Sequence, residues 1–255
     1  MATAHPELRQ RLGDYGFDGS VAGLCAMAAG GVALAGLTCS GARAGRRVLP
    51  AIELVSSLTL LGTVAIYVHA TRHGKFAVWA GLLESLPLHG DERVLDMGCG
   101  RGAVMTIVAK LVPQGRVVGL DLWTADQSGN SPEATRRNLE AEGVIDRCQV
   151  MTGNMTAMPL PDASFDLVVS SMAIHNIDQF RRSKQGCLQA VNEAVRVLKP
   201  GGRLMITDLG LTPLYARRMR DLGMDDVQQR TLDWRFWYGP WIGARLVTAT
   251  KPRSQ

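Results

Sequence analysis

Cysteine is scarce in this chain, and long runs of basic residues are missing. The 255 residues include five cysteines, and no two of them form a C-x-x-C pair. Scattered cysteines in odd number argue against a disulfide framework and against a zinc site, and they are typical of a reducing compartment. The net charge is +5, and no run of basic residues forms an arm, so we do not expect nucleic acid as a partner. Because the cysteines form no ligand pattern, we also expect no metal centre.

Before residue 80 the sequence is mostly apolar. Residues 21–37 carry no charge, and residues 49–70 are interrupted only by Glu53. A membrane-spanning helix needs about 20 mostly apolar residues, and small residues favour close helix packing in a bilayer. We therefore predict an N-terminal segment (1–75) with two transmembrane helices, at about 21–38 and 49–70, that anchors a cytoplasmic catalytic domain. A soluble helix pair packed on that domain is the alternative.

From residue 76 to 255 short β-branched runs alternate with helical patterns. This alternation predicts an α/β domain with a Rossmann-like, seven-stranded, mostly parallel sheet. No helix is expected between the last two strands, so they should form a C-terminal antiparallel hairpin. The strands are predicted at 93–97, 116–121, 148–152, 165–170, 203–208, 227–233 and 246–250, and the helices between them at 102–111, 132–142, 184–198 and 213–222.

A glycine-rich turn follows the first predicted strand, in the sequence Asp96-Met97-Gly98-Cys99-Gly100. Glycines at this place allow a tight turn and let a ligand approach the backbone. The spacing also fits the dinucleotide pattern G-x-G-x-x-G/A, which is a weak signal on its own. The neighbouring residues must therefore decide which ligand the turn suits.

Two acidic residues point to a positively charged adenosyl ligand. Asp96 stands two residues before the first glycine, where a carboxylate would repel a pyrophosphate but attract an ammonium or sulfonium group. Asp121 ends the next strand, where an acid commonly holds ribose hydroxyls. Both features favour S-adenosylmethionine over NAD. The alternative is that Asp96 only caps the following helix.

These segments resemble class I S-adenosylmethionine-dependent methyltransferases, and they are similar to the ubiquinone/menaquinone methyltransferase-like group. Residues 94–102 resemble the first motif of that class, and the resemblance extends over about residues 76–251. The other matching segments are Val117–Asp121, Gly153–Met155, Pro161–Val169 and Glu193–Leu204.

The resemblance implies a set of cofactor-binding residues. The motif-I residues would contact the methionine moiety, Asp121 the ribose, and Leu122 the adenine ring. Asn154 and Met155 would meet the adenine edge, although the family usually has an acid where Asn154 stands. The full set of candidates is Asp96, Gly98, Cys99, Gly100, Asp121, Leu122, Asn154, Met155 and Ser171.

The acceptor side of the site is less clearly marked. His175 follows the fourth strand and is the candidate proton acceptor, with a packing role as the alternative. The polar loop 123–132 is expected to reach over the cofactor or the acceptor. Five of the chain's few aromatic residues crowd between Trp234 and Trp241, where they could line an acceptor pocket, lie at a membrane surface or pack the hairpin.

The expected function is in-line methyl transfer to a small, lipophilic acceptor. A catalytically inactive scaffold that binds an adenosyl cofactor is the first alternative. An NAD-dependent oxidoreductase is the second, and Asp96 argues against it.

Overall fold

A seven-stranded sheet flanked by helices forms the body of the protein, which confirms the predicted fold class. The structure is a computed structural model and describes residues 8, 11–46, 48–124, 127–179 and 182–253; positions 125 and 126 of the predicted loop 123–132 lie outside this part. The strands are β1 (Arg93–Met97), β2 (Arg116–Asp121), β3 (Cys148–Thr152), β4 (Phe165–Ser171), β5 (Leu198–Asp208), β6 (Asp225–Thr231) and β7 (Arg245–Thr250).

Seven α-helices accompany the sheet in the described part of the chain. Helix α3 is absent from the sequence prediction, and β5 begins five residues earlier than expected. The helices are α1 (Val21–Arg43), α2 (Val48–His69), α3 (Lys75–Glu84), α4 (Ala103–Leu111), α5 (Pro132–Ala141), α6 (Gln185–Val197) and α7 (Thr212–Asp221).

The strand order creates a crevice at one edge of the sheet. The order is β3-β2-β1-β4-β5-β7-β6, and β7 runs antiparallel to both of its neighbours. A single 3₁₀ turn, Trp234–Phe236, lies between β6 and β7. From β1 the chain continues outward to β2, whereas β4 returns to the other side of β1. The loops after β1 and β4 therefore diverge, and open α/β sheets bind ligands at such a point.

Two apolar layers hold the sheet from opposite faces. One joins α3, α4 and α5 to the strands and includes Trp79 and Met105. The other joins α6 and α7 and includes Val191 and Tyr215. Strands β1 and β2 lie between both layers, so every residue after the first in each of them is buried. The loops at their carboxyl ends are consequently held by a rigid support.

Helices α1 and α2 pack against each other as a hairpin. The hydroxyl of Ser57 donates to the carbonyl of Gly31 at 2.8 Å, and a Cβ on Gly31 would come within 2.8 Å of Leu61. Both helices are long and apolar enough to cross a membrane, and only 6% of the most apolar stretch of each is buried inside the protein. Their outer faces thus leave large apolar side chains exposed.

The hairpin joins the α/β body without a break in helical structure. A π-helical turn, Ala70–Gly74, connects α2 to α3, so the boundary predicted at residue 75 falls within one long helix. A Cβ on Gly74 would lie 1.5 Å from the carbonyl oxygen of Arg235. The missing side chain lets the 3₁₀ turn before β7 press directly against this junction.

An extended segment before α1, which we call the N-terminal strap (residues 11–19), is tied to the body by hydrogen bonds. Asn138 on α5 receives the amide of Asp14 at 2.9 Å and donates to its carbonyl at 2.9 Å. The amide of Phe17 donates to the hydroxyl of Ser128 at 2.7 Å. The strap therefore lies beside the loop that follows β2.

Candidate functional site

A cavity of about 1020 Å³ opens at the carboxyl ends of β1, β2 and β4. This is the crevice that the strand order creates. Its wall brings together all nine of the cofactor-binding residues expected from sequence: Asp96, Gly98, Cys99, Gly100, Asp121, Leu122, Asn154, Met155 and Ser171.

Neither motif glycine could carry a side chain without colliding with a neighbouring residue. Both have left-handed backbone angles, with φ of 75° at Gly98 and 50° at Gly100, which L side chains rarely adopt. A Cβ on Gly98 would lie 2.3 Å from that of Ala173, and one on Gly100 would lie 2.2 Å from Oε1 of Gln127. The turn therefore exposes backbone to the cavity in a way that only glycine permits.

The carboxylate of Asp121 organises the glycine turn and the loop after β2. Its Oδ2 accepts from the amide of Gly100 at 2.8 Å, and its Oδ1 accepts from the amide of Trp123 at 2.7 Å. The side-chain amide of Asn130 donates to the same Oδ1 at 3.3 Å. These bonds hold the two ligand-facing loops in fixed relation.

Asp96 is a buried acid without a counter-charge. Its exposed fraction is 1%, and neither carboxylate oxygen has a side-chain partner or a hydrogen bond of ordinary geometry among the described residues; only the backbone amide of Met105 lies close enough to lower its pKa. Burial, together with the nearby charge of Asp121, raises the pKa of Asp96 to about 7. A buried polar group normally has a partner, so its oxygens are suited to a cationic ligand in the cavity.

The contacts of the Asn154 side chain differ from those expected. The resemblance implies that its side chain meets the adenine edge. In the structure the side-chain oxygen of Asn154 accepts from the amide of Thr156 at 2.9 Å and from its hydroxyl at 2.8 Å. Thr156 also lines the cavity, although no sequence motif marks it.

Ser171 lies at the end of β4, where three elements meet. Its hydroxyl accepts from the indole of Trp79 on α3 at 2.9 Å and from the hydroxyl of Thr207 on β5 at 3.2 Å. Ser171 consequently fixes the position of α3 relative to the carboxyl edge of the sheet.

His175 lies just behind the cavity wall formed by the described residues. Nδ1 of its imidazole contacts the carboxylate of Asp208, and its amide donates to the same carboxylate at 3.1 Å. Asp208 is fully buried and also accepts from the hydroxyl of Tyr215 at 2.9 Å. The side chain of His175 is 23% exposed, and its neighbours Ala173 and Asn176 do line the cavity.

Several cavity residues were missed at the sequence level. Asp18 comes from the N-terminal strap and Lys75 from α3, and both precede the first motif. Arg218, on α7, also lines the cavity, and its Nε donates to Asn192 at 2.7 Å. Thr124, Gln127 and Asn130 did have a signal, because they belong to the polar loop expected over the ligand. No cluster of three or more metal-ligating side chains occurs in the described ranges.

Comparison with known proteins shows what this domain is similar to. Residues 95–206 match a family described as a methyltransferase domain. A ubiquinone/menaquinone biosynthesis C-methyltransferase UbiE from Ruegeria sp. (strain TM1040) is 31% identical over 55% of this chain and 52% of its own length. A 27-O-demethylrifamycin SV methyltransferase from Amycolatopsis mediterranei (strain S699) is 30% identical over 58% of this chain and 52% of its own. The chain thus spans about half the length of the curated relatives it matches.

Among solved structures, a geranyl diphosphate C-methyltransferase from Streptomyces coelicolor A3(2) shares the fold. Its TM-score is 0.56 at 17% identity, and the match covers 74% of this chain and 82% of that one. The family match over residues 95–206 and the shared fold support a class I S-adenosylmethionine-dependent methyltransferase domain. S-adenosylmethionine is accordingly its cofactor. The buried carboxylate of Asp96 and the open backbone at Gly98 and Gly100 fit that group.

The raised pKa of Asp96 yields a prediction about stability. A carboxyl group whose pKa is about 7 when folded and ordinary when unfolded binds its proton more tightly in the folded state. Its ionisation therefore destabilises the folded protein by an amount that grows between the unfolded pKa and pH 7. We expect Asp96→Asn to raise the free energy of unfolding more at pH 8 than at pH 5, by on the order of 1–3 kcal/mol. Urea unfolding of the ligand-free protein checks this, and an equal effect at both pH values would contradict it.

Proposed function

We propose that this protein transfers a methyl group from S-adenosylmethionine to a small, lipophilic acceptor at a membrane surface. The observation that carries the proposal is the buried, unpartnered carboxylate of Asp96 beside the open backbone of Gly98 and Gly100. When bound, S-adenosylmethionine supplies a sulfonium methyl group that a nucleophile takes by in-line displacement. The remaining task of the protein is to hold both reactants in line and to exclude water.

The proposed roles follow the order of the strands along the cavity. Asp96, Gly98, Cys99 and Gly100 would hold the methionine moiety. Asp121 would accept from the ribose hydroxyls, because its carboxylate already lies at the end of β2 and faces the same cavity. The residues proposed for the adenine end and the edge of β4 are Leu122, Asn154, Met155 and Ser171.

The part of the cavity lined by the segment after β4 and by α6 and α7 is the proposed acceptor site. Met172, Ile177 and Leu188 supply apolar surface there, and Asn192 and Arg218 supply polar groups. This mixture suits a lipophilic body that carries one polar substituent. One relative is named for ubiquinone and menaquinone biosynthesis, which supports a lipid-soluble acceptor.

His175 is the proposed proton acceptor for an acceptor molecule that arrives protonated. The buried carboxylate of Asp208 at Nδ1 would orient the imidazole and stabilise its charged form. Ala173 and Asn176, which lie on either side of His175 in the sequence, line the cavity.

Membrane anchoring by residues 21–70 is the second part of the proposal. The exposed apolar faces of α1 and α2 support it. The aromatic cluster adds a separate argument, because Trp234 stacks on His69 at 5.0 Å and Trp241 is 82% exposed. Tryptophan is enriched at membrane–water interfaces. We therefore place the interface at the end of α2, with the α/β body in the cytoplasm.

Methyl transfer is tested with methyl-labelled S-adenosylmethionine and a fractionated extract of cells that express the protein. We expect label in the organic phase with the wild type and none with Asp121→Ala, which should lose S-adenosylhomocysteine binding at micromolar concentration. Label in the aqueous or protein fraction would contradict the lipophilic acceptor. Cofactor binding without any labelled product would favour the inactive scaffold.

The proton-acceptor role predicts a selective kinetic defect. We expect His175→Asn to lower kcat by roughly 10²-fold and to leave the Kd for S-adenosylhomocysteine unchanged, because proton transfer and cofactor binding use different residues. The measurement is steady-state kinetics beside isothermal calorimetry once the acceptor is isolated. Unchanged kcat would leave His175 with a packing role only.

The anchoring proposal predicts resistance to alkaline extraction from membranes. Leu54 and Leu58 lie one turn apart on the exposed face of α2. A lysine near the centre of a membrane helix costs roughly 2.5–3.5 kcal/mol, so Leu54→Lys with Leu58→Lys should release much of the protein into the supernatant. Leu12→Lys, on the exposed strap, is the control and should stay bound. Equal retention of both variants would argue against a spanning hairpin.

A further inference from the structure

Two opposite charges enter the cofactor cavity from outside the matched methyltransferase segment. Nζ of Lys75, on α3, lies 2.8 Å from Oδ1 of Asp18, on the N-terminal strap. The side chain of Lys75 is 6% exposed and that of Asp18 is 21% exposed, and both line the cavity. Placing two charges in a partly dry site is costly unless each has a partner in good geometry.

Contacts on the strap side place Asp18 near the glycine turn. The side-chain amide of Gln127 donates to Oδ1 of Asp18 at 3.4 Å and to the carbonyl of Tyr15 at 3.1 Å. Its Oε1 lies where a Cβ of Gly100 would be and accepts from the amide of Arg101 at 2.9 Å. One glutamine therefore links the strap carboxylate to the end of motif I.

Contacts on the helix side place Lys75 near the end of β4. Trp79, one turn later on α3, donates to Ser171 at 2.9 Å. Side chains four residues apart share a face of a helix, so Lys75 projects toward the same edge of the sheet. The ion pair thus lies between Gly100 and Ser171, beside the proposed methionine position.

A third side chain fixes the orientation of the Asp18 carboxylate. The hydroxyl of Tyr238 donates to Oδ2 at 2.8 Å. Burial, and next the charge of Asp18, raise the pKa of Tyr238, so this hydroxyl stays protonated. Asp18 is consequently held at both oxygens and cannot turn away from the cavity without losing its contacts with Lys75, Gln127 and Tyr238.

We propose that Lys75 and Asp18 recognise the amino-acid end of S-adenosylmethionine, Lys75 through its carboxylate and Asp18 through its ammonium group. An α-amino acid carries opposite charges close together, and this ion pair presents the complementary charges at a similar spacing. The inference rests on the proposed function, because it assumes that the cofactor occupies this cavity. It adds a binding site for the aminoacyl group that comes from the strap and α3.

A second ion pair shows what a purely structural role would look like. Lys110 and Glu142 lie 2.8 Å apart, and Glu142 also receives the amide of Leu12 at 2.8 Å from the strap. This pair fastens the strap to the body as the first pair does, but it lies outside the lining of the cavity. Lys110→Met is therefore a matched control for Lys75→Met.

The test measures binding of three ligands by isothermal calorimetry with the full-length protein. S-adenosylmethionine has both charged groups, its decarboxylated form keeps only the ammonium, and 5′-methylthioadenosine has neither. We expect the wild type to prefer S-adenosylmethionine over the decarboxylated form by about tenfold to hundredfold. Lys75→Met should remove that preference, and Lys75→Arg, which keeps the charge, should retain most of it. Asp18→Asn should weaken both ammonium-bearing ligands.

All variants should bind 5′-methylthioadenosine as the wild type does, and Lys110→Met should match the wild type for every ligand. A Lys75→Met protein that still prefers S-adenosylmethionine would overturn the assignment. So would an equal loss for 5′-methylthioadenosine, since that would show a general collapse of the cavity. Failure of the wild type to bind any of the three ligands would instead refute the proposed cofactor site itself.

Discussion

The unsatisfied carboxylate of Asp96 is the constraint around which the site is arranged. A charge at the end of a buried strand, with no partner among the described residues, destabilises the ligand-free protein. Such a group persists where a ligand supplies the missing counter-charge. The surrounding features agree with this reading, because Gly98 and Gly100 open the backbone beside it and Asp121 holds both loops in place. The ionised side chain of Asp96 thus lowers the stability of the ligand-free protein and at the same time favours binding of a cationic ligand.

Much of the α/β body could be predicted because its signals are local. The strands β1 to β3 lie at the residues expected, because each is a short, largely apolar run that ends at or just before a glycine or an acidic residue. Helix α3 was missed because a boundary was predicted at residue 75, after the polar residues Arg72 and His73, whereas the structure continues through this segment as a π-helical turn. Strand β5 also includes Lys199-Pro200-Gly201-Gly202, which lies between the predicted helix and the predicted strand.

The candidate site also has residues that could be predicted from the sequence and residues that could not. The nine cofactor-binding candidates follow motifs whose residues are adjacent in sequence, and they meet at one cavity. Asp18, Lys75 and Arg218 reach that cavity only through tertiary packing, across up to 200 residues of sequence, and no spacing rule connects them. His175 shows the opposite limit: it follows β4 at the carboxyl edge of the sheet, as the sequence indicated, but its ring contacts Asp208.

The unbroken helix from Val48 to Glu84 decides where the protein can be shortened. A truncation at residue 75 would leave Phe76 and Trp79 at a new terminus, although both are buried and Trp79 anchors the end of β4. It would also discard the strap, which precedes α1 in the sequence but packs against the α/β body. A soluble fragment therefore has to keep both ends of the hairpin and replace only its exposed middle with a short connection.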